Sequence, residues 1–232
     1  MKRVQLDPAY LLHRRAYRET SFLLEIFSQS YGRVSLLARG ARKERSPLQG
    51  LLQPFVPLLV SWAGKGELMT LVQAEVNKEA VRLEKECLFA GFYLNELLMI
   101  LLHKWDAHPI LFTIYENAIV NLQKPALLQK TLRQFEKKLL EELGYGLLPK
   151  TNPDKILPDT YYQFTTDKGF IVSSEINFQN QTNIFLGKNL IAIANEEWQE
   201  DSLYDAKRLT RLVLTPLLGS KKIYSRKLFR VG

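Results

Sequence analysis

Residues 10–39, YLLHRRAYRETSFLLEIFSQSYGRVSLLAR, decide the fold. Three short apolar runs, Tyr10–Tyr17, Thr20–Ser28 and Tyr31–Arg39, are punctuated by Arg-Glu-Thr and Ser-Tyr-Gly, the pattern of a strand meander. In the middle run Phe22, Leu24 and Ile26 project to one side and Leu23, Glu25 and Phe27 to the other, so this strand is covered on both faces or nearly so. A polar bend, GARKERSP at 40–47, follows. Ser46 before Pro47 is an N-cap with proline in the first helical position, which predicts a helical turn or two over Pro47–Leu51. Two further strands, about Phe55–Trp62 and Leu68–Asn77, flank the turn Gly64-Lys65-Gly66. Five strands with a short helix between the third and fourth is the order of a small Greek-key barrel of the oligonucleotide/oligosaccharide-binding (OB) type.

After residue 80 the apolar period changes from two to about 3.6. Leu88, Phe92, Asn95, Leu98 or Met99, Leu102 and Trp105 mark one side of a helix whose stripe Leu94, Leu97 and Leu101 widen until little polar face is left. A second helix is expected over Pro109–Leu122. A third runs from Pro125 through Leu128, Leu132, Phe135, Leu139 and Leu143 to a Gly144 cap. Between Tyr145 and Ile184 the pattern breaks around a hairpin, Tyr161–Phe164 and Phe170–Val172, turning at Asp167-Lys168-Gly169. Gly187–Asn195 and Ser202–Leu214 read as helices, the latter ended or kinked by Pro216. The expected class is α+β: an OB-type five-stranded barrel over 1–80, then a mainly helical domain over 81–232 with a hairpin insertion around 147–185 and a basic tail.

Composition and motif searches remove several function classes. The only cysteine, Cys87, cannot form an internal disulfide, and with three scattered histidines (His13, His103, His108) it cannot complete a Cys₄ or Cys₂His₂ zinc site. That suits a reducing, cytosolic setting. MKRVQLDPAY lacks the apolar stretch of a secretory signal, and no window reaches the roughly 18 apolar residues of a membrane span. There is no phosphate-cradling Gly-x-x-x-x-Gly-Lys-Ser/Thr loop, no nucleophile elbow and no His-Glu-x-x-His helix. The carboxylates Glu196, Glu197, Glu200 and Asp201 read as a solvated helix flank rather than a metal-dependent nuclease centre. No catalytic residue, metal or cofactor is expected, and a binding protein is the better reading.

Charge says what is bound. The chain carries 32 Lys+Arg against 24 Asp+Glu, but residues 207–232 hold eight cations and no carboxylate. Such blocks point to a polyanionic partner, nucleic acid before a membrane surface. On the barrel the candidates are Arg14, Arg15 and Arg18, then Arg33 and Arg39, six apart and so on one side of a strand, then Arg42, Lys43 and Arg45. Tyr17 and Tyr31 offer faces on which bases could stack. The bland alternative is that these arginines guard barrel edges against another sheet. At the other end Lys207, Arg208 and Arg211 share a helix side, followed by Lys221, Lys222, Arg226, Lys227 and Arg230. Together these are phosphate contacts without a base code. An OB-type RNA-binding module is the alternative they equally serve.

One resemblance joins these segments. Glu19-Thr20-Ser21, Tyr31-Gly32-Arg33-Val34, Ala38-Arg39-Gly40-Ala41-Arg42, Leu52-Gln53-Pro54-Phe55, Tyr93-Leu94-Asn95-Glu96-Leu97-Leu98, Arg133-Gln134-Phe135-Glu136, Leu143-Gly144-Tyr145-Gly146 and Ser225-Arg226-Lys227-Leu228-Phe229 occur in an order that resembles the RecO family of bacterial recombination mediators. The resemblance implies a barrel followed by a helical domain and binding of single- and double-stranded DNA. It also implies strand annealing without ATP and, with RecR, loading of RecA onto coated single strands in the RecF pathway, in the cytoplasm at the nucleoid. Many members hold a four-cysteine zinc cluster in the segment matching Leu147–Phe170; this chain has no cysteine there, so the zinc is expected to be missing. The family docks the acidic C-terminal tail of the single-stranded-DNA-binding protein, and on the matching motif Arg133 would meet its carboxylate. By sequence an intrahelical pair with Glu136 is as good a use of that arginine.

Overall fold

The computed structural model describes residues 2–147, 156–173 and 182–228. Five strands, β1 (Lys2–Tyr17), β2 (Ser21–Ser28), β3 (Gly32–Ala38), β4 (Pro57–Gly64) and β5 (Leu68–Val76), close into a barrel in the order β1-β2-β3-β5-β4, with the helix α1 (Pro47–Leu51) between β3 and β4. This is the OB-type topology that the alternation predicts. β1 closes the barrel by serving two partners: its first half pairs with β4 and its second with β2. Register shifts between Val4 and Asp7 and between Leu11 and His13 bend it from one to the other. Where it bends, Leu6 stands at φ 48° and its N–H donates to Ser61 Oγ at 3.0 Å.

Inside the barrel Leu24, Ile26, Val34, Leu36, Leu58, Val60 and Trp62 are almost wholly buried, with Leu48, Leu51 and Leu52 packed against them from α1 and its end. The other face of β2 is covered as well. Phe27 and Tyr10 pack on Phe112 and Tyr115 of the helix α3 (Pro109–Asn121), with ring centroids 5.2–6.1 Å apart. Before it runs α2 (Lys85–Leu101), which buries Cys87, Leu94, Asn95, Leu97 and Leu98. That helix stops earlier than its apolar stripe suggests. Leu102 is extended at ψ 137°, Trp105 takes φ 63°, and its ring joins the barrel cluster instead. Gly32 permits the approach of this loop to β3, since a Cβ there would lie 1.7 Å from the Asp106 carbonyl oxygen.

The chain folds as two compact units, Met1–Pro125 with Lys222–Gly232, and Ala126–Lys221. The change of period at residue 80 is therefore a change of secondary structure inside the first unit. In the second unit α4 (Leu128–Glu142) follows a 3-10 turn at Pro125–Leu127. A three-stranded sheet has the order β7-β6-β8, from β6 (Tyr161–Thr165), β7 (Gly169–Val172) and β8 (Ile184–Leu186). The hairpin turns where expected, and Phe170 packs tilted against Phe164 and edge-to-face against Phe185 of β8, with centroids 5.1 and 6.0 Å apart. Residues 148–155 and 174–181 of the expected insertion lie outside the described residues. Two helices complete the unit, α5 (Gly187–Ala194) and α6 (Glu200–Leu218). Pro216 does not end α6, which runs to Leu218 and closes at Gly219 with φ 55°. A last turn, α7 (Ser225–Leu228), belongs to the first unit.

Candidate nucleic-acid interface

At one end of the barrel the pairings Tyr17 with Ser21 and Phe22 with Ala38 bring the β1–β2 turn beside the chain leaving β3. The backbone N–H of Arg42 donates to the Thr20 carbonyl at 2.8 Å, and its guanidinium donates to the Arg18 carbonyl at 3.0 Å, so the two loops are tied together. Between them lies an open hollow of about 860 Å³ lined by Tyr17, Arg18, Thr20, Leu37, Arg39 and Lys43, with Glu19 as its one carboxylate. Arg18, Arg39, Lys43 and Arg45 are exposed. The Arg18 guanidinium lies 5.3 Å from the Tyr17 ring centre, leaving an amphipathic wall of aromatic and cation. Among the described residues, no carboxylate pairs with Arg15, Arg18, Arg39, Arg42, Lys43 or Arg45. Arg15 faces a second, smaller hollow with His13, Glu25, Glu67 and Lys104.

Three of the expected phosphate contacts have other work. Arg14 donates to the carbonyls of Gln49 (3.3 Å) and Leu52 (2.8 Å) and to Gln53 Oε1 (3.1 Å), so it ties α1 and its exit to β1. Arg33 donates to the Met99 carbonyl in the last turn of α2 and lies 3.8 Å from Glu25. It therefore does not line a groove with Arg39: β3 ends at Ala38, and the two arginines stand at opposite ends of that strand. Arg208 donates to Asp205 at 2.6 Å and to the Ile184 carbonyl at 2.8 Å, and lies over the rings of Phe185 (4.8 Å) and Tyr204 (5.6 Å). The ring of Tyr31 is also occupied, set edge-on against Trp62 at 5.4 Å with the Lys2 ammonium 4.5 Å above it.

Arg133 is 5% exposed and donates to Glu136 Oε1 at 2.9 Å, the intrahelical use of that side chain. Half-buried Lys207 and exposed Arg211 belong to the same cluster. Burial, then the Arg133 and Arg211 charges, hold the Lys207 ammonium below its ordinary pKa, with Glu136 opposing. Lys221, Lys222 and Lys227 are exposed, and Arg226 lies over the Tyr93 ring at 5.7 Å. Arg230 lies outside the described residues.

Two features escape a reading of the sequence. Lys137 and Lys138 of α4 both reach Glu196, at 3.2 and 2.8 Å. Glu96 of α2 holds the backbone of Tyr224 and Ser225. For Glu96 the only sequence signal is a polar residue inside an apolar stripe, which obliges a partner. Among the described residues no group of His, Cys, Asp and Glu is placed to hold a metal ion, and no helix is long and apolar enough to cross a membrane.

The closed five-stranded barrel, with a cationic hollow beside Tyr17 between two of its loops, is of the OB type, a fold that in other proteins holds oligonucleotides. The comparisons narrow the class. Family models for the N-terminal part of recombination protein O and for its C-terminal part match residues 1–79 and 86–148. The DNA repair protein RecO of Coxiella burnetii (strain RSA 331 / Henzerling II) is 44% identical over 231 residues, covering 98% of each chain. That of Actinobacillus pleuropneumoniae serotype 5b (strain L20) is 42% identical over 226 residues, 95% of this chain and 92% of the relative. The RecO of Dechloromonas aromatica (strain RCB) is 41% identical over 234 residues, 98% and 96% of the two chains. The chain belongs to the RecO family of DNA repair proteins.

Proposed function

We propose that this protein is a recombination mediator that holds single- and double-stranded DNA by their phosphates and anneals complementary strands without a nucleotide cofactor. With RecR it promotes the loading of RecA onto single strands coated by the single-stranded-DNA-binding protein. The observation that carries this reading is the hollow in which Arg18, Arg39 and Lys43 surround Tyr17 with one opposing carboxylate. Cations in such a groove neutralise phosphates, and the ring accepts any base, so a strand is held with its hydrogen-bonding edges free to search for register. Two strands repel through their phosphates. Lowering that repulsion needs no hydrolysis and no catalytic side chain.

The coat protein's acidic tail is assigned to the second unit. Around Arg133, Lys207 and Arg211 add two cations against the one carboxylate of Glu136, an excess that favours an incoming carboxylate. Lys207 and Arg211 make that contact, and Arg133, held by Glu136, supplies field from behind.

The test is annealing of complementary oligonucleotides coated by the single-stranded-DNA-binding protein, without ATP, with or without the coat protein's acidic tail. Annealing that needs the tail and is lost in Arg18→Glu/Arg39→Glu/Lys43→Glu is expected. Undiminished annealing in that variant would refute the placement of the strand, and no annealing by the unaltered protein would refute the function.

A further inference from the structure

The last described segment returns to the barrel unit, and one side chain fastens it there. The Glu96 carboxylate accepts the backbone N–H groups of Tyr224 (3.1 Å) and Ser225 (2.9 Å) and the Ser225 hydroxyl (2.5 Å). These are the donors at the start of α7, a single turn too short to hold itself in water. One turn earlier on α2, Tyr93 receives the Arg226 guanidinium, and Ile223 and Ser225 are buried. The two segments lie 129 residues apart in the chain.

The clasp fixes where the cations on either side of it go. Lys222 lines the rim of a hollow of about 710 Å³ that also takes in His13 and Arg14 of β1, over an apolar floor of Leu12, Phe92 and Ile100. Lys227 stands exposed beside the Tyr224 ring, which is itself 64% exposed. Cations from the far end of the sequence are thus presented on the barrel unit, and an anion that touches no phosphate keeps them there.

We infer that Glu96 is a positioning residue for nucleic-acid binding: it clasps the strap of residues 222–228 so that Lys222 and Lys227 extend the phosphate-holding surface of the barrel unit. The inference rests on the proposed binding of DNA strands. It carries a signature in its sign. Replacing Glu96 by alanine removes one negative charge from the protein, so the overall field alone would tighten binding to a polyanion. Release of the strap does the opposite, because two freed lysines must be ordered again each time they meet phosphates.

The experiment compares Glu96→Ala, Glu96→Gln and Ser225→Ala with the unaltered full chain. Hydrogen exchange reads the Tyr224 and Ser225 amides, and fluorescence anisotropy reads the affinity for an oligothymidylate across a salt series. In Glu96→Ala those amides should exchange at least about tenfold faster. Affinity should fall roughly 3- to 10-fold, and the salt slope should flatten by at most about 1.4, the limit at which both phosphate contacts, at about 0.7 each, are lost. Glu96→Gln keeps an acceptor oxygen and should restore part of both effects. Ser225→Ala leaves α2 intact and should shift exchange and affinity in the same direction by less, which separates loss of the clasp from damage to the helix. Strap amides that exchange no faster in Glu96→Ala overturn the inference. So does a loosened strap with equal or tighter binding. If the unaltered protein ignores the oligonucleotide in dilute buffer, the proposed function falls and takes this inference with it; the exchange data then show whether the clasp itself was read correctly.

Discussion

Replacing Arg18, Arg39 and Lys43 by glutamine tests the proposal that these cations hold phosphate while Arg14 and Arg33 hold the fold. All three side chains are exposed and line one hollow, so their removal should change stability by no more than about 0.5 kcal/mol. If each neutralises one phosphate of a single strand, the slope of log affinity against log salt should flatten by about 2, at roughly 0.7 per contact. Between about 50 and 200 mM salt, the unaltered protein should then lose roughly 18-fold more affinity than the variant does. The control is Arg14→Gln with Arg33→Gln, which also removes cations from the barrel. Arg14 ties two carbonyls and an amide oxygen around α1, and Arg33 ties the end of α2. Their loss should cost about 2–4 kcal/mol of stability, on the scale of one or two hydrogen bonds to a charged group, and leave the salt slope where it was. Anisotropy at four salt concentrations and urea denaturation read the two quantities separately. A control that flattens the slope as much as the triple variant, or a triple variant that keeps the full slope, would refute the assignment.

Three further outcomes follow from the same geometry. Gly32→Ala puts a Cβ 1.7 Å from the Asp106 carbonyl oxygen and should cost about 3 kcal/mol or more, whereas Gly40→Ala, at a similar φ but 3.6 Å from the flexible Lys43 side chain, should cost about 1–2; equal costs in urea denaturation would remove the steric argument. Burial alone would raise the Glu196 carboxyl, but the hydrogen bonds and charges of Lys138 and Lys137 outweigh it and hold it below its ordinary 4.5. A carboxylate depressed in the folded state contributes stability above its unfolded pKa that is lost as pH falls through the folded one, so the Ala126–Lys221 unit should weaken below about pH 4.5 and Glu196→Gln should flatten that dependence; an unchanged acid profile in the variant would show the network to be inert. Burial first, then the Glu86 charge, raises the Cys87 thiol, which should react with an aromatic disulfide only as fast as the first unit opens; rapid labelling under native conditions would contradict the packing of α2.

The sequence discloses the barrel because its signal is local. Alternation in β2, the Ser46-Pro47 start and the turn at Gly64–Gly66 each act within a few residues. It hides what is tertiary. Lys2–Ala9 reads as no strand, since two cations, Asp7 and Pro8 interrupt the apolar run, and pairing with β4 supplies the order instead. Trp105 fits the period of α2 and yet leaves the helix, because the barrel offers its ring a better burial than another turn would. The strand β8 is three residues long and exists only as a partner of β6.

The cations show the same division more sharply. An arginine that neutralises phosphate and one that ties off carbonyl groups are the same letter, and what separates them is which unpaired oxygen happens to be near. Arg14 and Arg15 are neighbours, but a strand points them to opposite faces: one meets the open carbonyls at the end of α1, the other a hollow shared with His13. Asn95 and Glu96 are two polar residues in the middle of a helix otherwise apolar nearly all round. A buried amide there must be satisfied, and Asn95 is, by the Leu12 carbonyl and the Tyr115 hydroxyl. Glu96 is satisfied by the strap. Polar residues interrupting an apolar stripe therefore locate the long-range joints of this fold, where charge counting alone reports only that the two ends of the chain are basic.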